Sequence, residues 1–225
     1  MKPQSTIWRN PSRRTTLKAL ALFASILPTS ALATLRTLLP AGKQQHDFIT
    51  HNPLPLALET SRDAFGQGPI TAIAQFFVRN NLPMPETEIV ADRDRWSIQI
   101  KGCETSGHIT LADLKTLETT TVASVLQCSG NGRAFFNHNP AGSPWGVGAA
   151  GCALWTGVKV SEVLSHFAGA KPQARFLTAT GAESLPAGID VASVGVERSV
   201  PLEKGVQDAL LVWEMNGEPL PLVHG

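Results

Sequence analysis

The stretch Cys128-Ser129-Gly130-Asn131-Gly132-Arg133 concentrates more chemical potential than any other in the chain. A thiolate is a nucleophile and a soft metal ligand. Gly130 and Gly132 let the backbone approach a ligand closely and adopt positive φ without strain. Exposed N–H groups beside the Arg133 guanidinium favour a bound anion. Against this stands the plain alternative that Cys128 is a small buried hydrophobe. A second candidate is Arg79, where the apolar run Phe76-Phe77-Val78 breaks into one cation and two amides, Asn80 and Asn81, before Leu82-Pro83. It is either an exposed loop charge or an anion-binding guanidinium at a strand end.

These residues need elements to hold them. Val122 to Gln127 predicts a buried strand that runs out at the thiol. Ser, Gly, Asn and Gly then punctuate a tight turn. Trp96-Ser97-Ile98-Gln99-Ile100 alternates as a half-buried strand does. Thr110 to Asp113 has the form of a capping box, with Leu111, Leu114 and Leu117 on one short helix face. Residues 134–157 carry Phe135, Phe136, Trp145 and Trp155 among glycines. They predict a long loop, ordered by a bound group or packed on its own aromatics. Val160, Val163, Leu164 and Phe167 mark a helix closed by Gly169. Strands are expected at 175–179 and 210–215, with a reversal at Asn216-Gly217. Residues 34–60, with prolines at 40, 53 and 55, read as irregular.

Composition narrows the class. The 225 residues carry a net charge of +1 and only 16% charged side chains. That gives no basis for nucleic-acid or membrane-surface binding. With 19 glycines and 16 prolines the chain is expected to be turn-rich and not a helical bundle. The three cysteines, Cys103, Cys128 and Cys152, show no Cys-x-x-Cys spacing, so no haem or zinc site is expected. Cys103 and Cys152 either pair, leaving Cys128 free, or are two inert buried thiols. At the N-terminus Arg13-Arg14 and Lys18 precede an apolar stretch and Ala31-Leu32-Ala33. This order predicts a twin-arginine signal peptide over residues 1–33, a mature domain over 34–225 and a periplasmic destination.

Four stretches together resemble the sulfite oxidase family of molybdopterin enzymes, over roughly residues 46–225. They are Phe77-Val78-Arg79-Asn80-Asn81-Leu82-Pro83, the Cys128 loop, Trp145 to Val158, and Ser199 to Lys204 with Glu214 to Pro221 and His224-Gly225. The form of the Cys128 loop is similar to that of bacterial sulfite and sulfane dehydrogenases. The resemblance implies an α+β fold, a β-rich, mixed molybdopterin-binding domain with short helices. It implies a molybdenum–molybdopterin cofactor with Cys128 as the metal ligand, and Arg79 and Arg133 as catalytic partners. Phe77, Val78, Arg79, Asn80, Asn81, Glu183 and His224 would contact the cofactor. The implied reaction is oxidation of sulfite or a related sulfur oxyanion by oxygen-atom transfer, with a c-type cytochrome as electron acceptor.

Two departures accompany the resemblance. Asn81 stands where the family has histidine. The chain also ends at His224-Gly225, where the family continues with another arginine, a cofactor lysine, an active-site tyrosine and an immunoglobulin-like dimerisation domain; the sequence has no tyrosine. The expectation is a C-terminally truncated enzyme without the family's dimer. The alternatives are an inactive molybdopterin-binding scaffold and, from the residues alone, a cysteine hydrolase pairing Cys128 with His138 or His224.

Overall fold

In a computed structural model that describes residues 39–85, 87–181 and 197–224, β-branched and alternating runs become eleven strands. In chain order these are β1 (Phe48–Pro53), β2 (Leu56–Thr60), β3 (Val78–Arg79), β4 (Ser97–Ile100), β5 (Gly107–Thr110), β6 (Thr119–Gln127), β7 (Ala150–Lys159), β8 (Phe176–Thr180), β9 (Glu197–Pro201), β10 (Leu210–Met215) and β11 (Glu218–Pro219). Among the described residues three short α-helices accompany them: α1 (Leu111–Leu114), α2 (Val160–His166) and α3 (Leu202–Asp208). All of them lie in the unit Ala41–Gly225. The expected signal peptide and Glu183 lie outside the described residues.

The strands form four sheets: β1-β2-β3, β11-β10-β7-β6, and the pairs β4-β5 and β8-β9. Every pairing is antiparallel. Short helices on small antiparallel sheets make this an α+β, β-rich fold, as expected. The Asn216-Gly217 reversal is present, with φ of 55° and 80° at its two residues, the requirement of a type I′ hairpin turn. The Thr110–Asp113 capping box starts α1. Gly169, at φ 87°, closes α2 by donating to the Leu164 carbonyl at 2.8 Å.

Two apolar clusters hold the sheets together. In one, Phe76, Phe77, Trp145, Ala149, Ala153 and Met215 pack with the partly buried Cys128 and Trp155. In the other, α1, α2 and β5 bury Leu114, Val163, Phe167 and Ile109 against Cys103 and Val158. Phe76 is fully buried and touches Phe77, Trp155 and His224 through its ring. Burial of such a ring contributes on the order of 2–3 kcal/mol.

Four expectations need correction. Residues 48–60 are not irregular: β1 and β2 form a hairpin in which Pro53 ends β1 and Pro55 lies in the turn, and a bulge falls between Thr50 and Asn52. Strand β6 is not buried, because it is the edge of its sheet and Val125 and Leu126 are 62% and 47% exposed. The long loop ends at Ala149, since residues 150–159 are strand β7 paired along the whole of β6. Cys103 and Cys152 do not pair, and Cys152 is only partly buried. Cys103 lies in the second cluster, whereas Cys152 sits opposite Val125 on the edge ladder.

Candidate active site around Cys128

The Cys128 loop is built by backbone pairing with the segment that precedes β7. Cys128 N–H donates to the Ala149 carbonyl at 2.9 Å, Gly132 N–H to that of Gly146 at 2.6 Å, and Ala134 N–H to that of Trp145 at 2.9 Å. The Asn131 side chain accepts from Ala149 N–H at 3.0 Å. Gly132 has φ 86°, a conformation that favours glycine. Gly130 N–H points at the Cys128 sulfur, 3.4 Å away. Trp145 is buried beneath the segment. These pairings tie the segment before β7 to the Cys128 loop along its backbone.

Cys128 and Ser129 line two clefts at once. The larger, of about 480 Å³, runs along Phe77, Arg79 to Pro85, Leu126 to Ser129 and Leu222 to His224. The smaller, of about 270 Å³, is walled by Asn52, Arg79 to Asn81, Arg133, Ser143 and Trp145. Arg79, Asn80 and Asn81 also belong to both walls. The end of β3 thus faces the end of β6, and the two sequence candidates of highest interest are neighbours across one opening. Arg79 is exposed and its Nη1 donates to the Asn81 side-chain oxygen. The Asn81 amide is thus an anchor for the cation.

Arg133 leans back on its own loop. Its Nη1 donates to the Ser143 carbonyl at 2.9 Å, and it contributes to the smaller cleft. Phe77 lines the larger cleft, while Val78 is fully buried and lines neither. Alternation along β3 turns the Val78 side chain into the core, while Arg79 faces outward. His138 is on the exposed part of the loop against Phe136 and lines neither cleft, so the hydrolase pairing with His138 has no geometry.

His224 borders the larger cleft, and its Nε2 is buried with no hydrogen-bond partner. Burial, and then the positive charge of Lys43, push its pKa down to about 4. The ring is therefore neutral at ordinary pH. Lys43 was missed by sequence reasoning. It is buried, and its ammonium donates to the carbonyls of Phe76 at 2.7 Å and Ile73 at 2.8 Å. Burial lowers its pKa to about 8, against the opposing pull of Asp47.

Glu59 was missed as well. It is buried at 4% exposure in β2. Its carboxylate accepts from Gly146 N–H at 2.8 Å, Gly148 N–H at 3.0 Å and His51 Nε2 at 2.6 Å. Burial acts to raise its pKa, but the two backbone donors and His51 outweigh it and hold the carboxyl below its ordinary value. A lone glutamate in Leu-Ala-Leu-Glu-Thr carries no local signal of this role.

Molybdopterin fits this arrangement. The larger cleft is in the size range of cofactor sites. A thiol opens onto it, amides line it, and an orphaned buried ring nitrogen on its wall has a donor or acceptor to satisfy. Among the described residues no three His, Cys, Asp or Glu side chains converge. Cys128 would therefore be the sole side-chain ligand, with the remaining donors supplied by the cofactor.

Comparison with known proteins agrees. The family model described as "oxidoreductase molybdopterin binding domain" matches residues 82–225. Mitochondrial sulfite oxidase of Drosophila melanogaster is 31% identical over 155 residues, covering 67% of this chain and 26% of that protein. An NADPH nitrate reductase of Leptosphaeria maculans is 32% identical over 186 residues, covering 80% and 19%. Among solved structures, the sulfane dehydrogenase SoxCD of Paracoccus pantotrophus superposes with a TM-score of 0.63 at 25% identity, over 88% of this chain and 46% of that one. The chain therefore spans less than half the length of these relatives. It carries a molybdopterin-binding oxidoreductase domain. The chain belongs to the sulfite oxidase family of molybdopterin-dependent oxidoreductases.

Proposed function

We propose that this domain serves a periplasmic sulfur-oxidising dehydrogenase that takes sulfite or a related sulfur oxyanion and passes electrons to a c-type cytochrome. The observation that carries the reading is that Cys128 lies on the shared wall of a larger and a smaller cleft. Cys128 would hold the molybdenum, with His224, Asn80 and Asn81 along the pterin. When bound, the cofactor supplies two-electron oxygen-atom transfer.

The rest of the work falls to the chain. The smaller cleft carries two guanidinium groups, Arg79 and Arg133. Guanidinium stays charged at any working pH and binds oxyanions through parallel N–H donors. A doubly charged anion such as sulfite suits two such groups better than a singly charged one such as nitrate. Asn81 keeps the Arg79 fork directed, and Ser143 does the same for Arg133. A periplasmic destination is supported by Arg13-Arg14 and Ala31-Leu32-Ala33. Among the described residues no helix is long and apolar enough to cross a membrane.

The test is the full chain purified from a molybdopterin-producing host. Molybdenum is measured by elemental analysis, and reduction of cytochrome c or ferricyanide is followed with sulfite, thiosulfate and, for comparison, nitrate with a reduced dye. Sulfite- or thiosulfate-dependent reduction is the expected result. Turnover of nitrate alone, or full molybdenum content after Cys128→Ser, would overturn the proposal.

A further inference from the structure

We infer that Glu59 is a positioning residue for the Cys128 loop, acting at a distance through the backbone. It lies on β2, in a different sheet from the strand that delivers the thiol. Its two carboxylate oxygens are divided between Gly146 N–H and Gly148 N–H, at 2.8 and 3.0 Å. The same short segment presents its carbonyls to the loop: Gly146 to Gly132, Trp145 to Ala134 and Ala149 to Cys128. One carboxylate therefore grips one edge of a strap whose other edge holds the thiol loop and whose side chain Trp145 walls the smaller cleft.

The grip is specific to this geometry. Added Cβ atoms on Gly146 and Gly148 would come within 2.6 Å of the Glu59 carboxylate and 1.9 Å of the Thr60 carbonyl. The strap can lie this close to β2 only as glycine. Thr60 N–H in turn donates to the Gly148 carbonyl at 3.2 Å. His51 supplies the third donor to Glu59 and sets its ring edge-on to Trp145, 4.9 Å between centroids. An ionised carboxylate is an acceptor at both oxygens, which the two amides require. An amide in its place would turn its NH₂ group toward one of the N–H donors and leave that donor unpaired.

Amide hydrogen exchange on the full chain tests this without turnover. In Glu59→Gln, peptides spanning 128–149 are expected to exchange about tenfold faster, the consequence of one buried donor left unpaired. Peptides spanning 97–117, in the other cluster, are expected to keep the wild-type rate. Glu59→Asp keeps the charge, and its shorter side chain gives an intermediate rate at 128–149. Wild-type exchange at 128–149, or acceleration equal in both regions, would overturn the assignment. If Glu59→Gln does not fold, Glu59→Asp decides alone: local acceleration supports the role and wild-type exchange removes it. The importance of the loop rests on the proposed function, but the exchange result does not. A chain that binds no molybdenum would sink that function and leave this measurement intact.

Discussion

The Arg133 guanidinium reaches ten residues along the chain to the Ser143 carbonyl, 2.9 Å from its Nη1. It threads between Gly130 and Gly142, where any Cβ would come within 2.7 and 2.6 Å of it. The side chain is thus both a brace across the loop and a charge on the smaller cleft. Arg133→Lys keeps the charge and loses the fork. KM for the anion is expected to rise about tenfold and stability to fall by about 1 kcal/mol. Steady-state kinetics and denaturant titration read the two effects separately.

Cys128→Ser is expected to lower molybdenum content at least about tenfold, because a hydroxyl is a poor ligand for a soft site. Stability should change by less than about 1 kcal/mol. The thiol is only partly buried and accepts a single weak N–H, from Gly130. Elemental analysis beside a denaturation curve checks both.

Acid should weaken the fold through His224. Its pKa in the folded chain is about 4, below the ordinary 6.5. Between those values the unfolded chain binds a proton that the folded chain refuses, so stability falls as pH is lowered through this window. From pH 7 to 5 the loss from this group is on the order of 2 kcal/mol. Glu59, held below the ordinary 4.5, loses its stabilising contribution only at lower pH. Urea unfolding at pH 7, 6 and 5 is expected to show the slope, and His224→Asn to flatten it.

Gly157→Ala should be costly for a backbone reason. The new Cβ would approach the Leu211 carbonyl oxygen to 2.0 Å across the β7–β10 ladder. The strands must separate, at a cost of about 2–4 kcal/mol. Gly217→Ala is the control: open space surrounds it, but its φ is 80°. Only the left-handed strain remains, about 1 kcal/mol. Thermal or urea unfolding of the two variants should rank them in that order.

Local signals made much of this fold legible. The capping box at Thr110, the reversal at Asn216-Gly217, the helix before Gly169 and the strand ending at the thiol each announce themselves within a few residues. The pairing of Arg79 with Cys128 was also within reach, because each stands where an apolar run ends abruptly. What stayed hidden was long-range. The β1–β2 hairpin is masked by prolines at the end of β1 and in its turn. The burial of Lys43 and Glu59 depends on backbone atoms 30 and about 87 residues away, and no window of sequence contains such partners. Strand β6 looked like core because it is rich in Val and Leu, yet it borders its sheet. Val78 sits in the same motif as Arg79, and strand alternation turns its side chain inward.

The partition between the two clefts has one more implication. Arg79, Asn80, Asn81, Cys128 and Ser129 each present surface to both spaces. At these five positions neither chamber can be reshaped alone. If the proposed function holds, a substitution at these positions chosen to admit a bulkier oxyanion would also alter the larger cleft, so substrate range and cofactor retention would trade against each other there, and independent tuning would come from Arg133, Ser143 and Asn52, which line the smaller cleft alone.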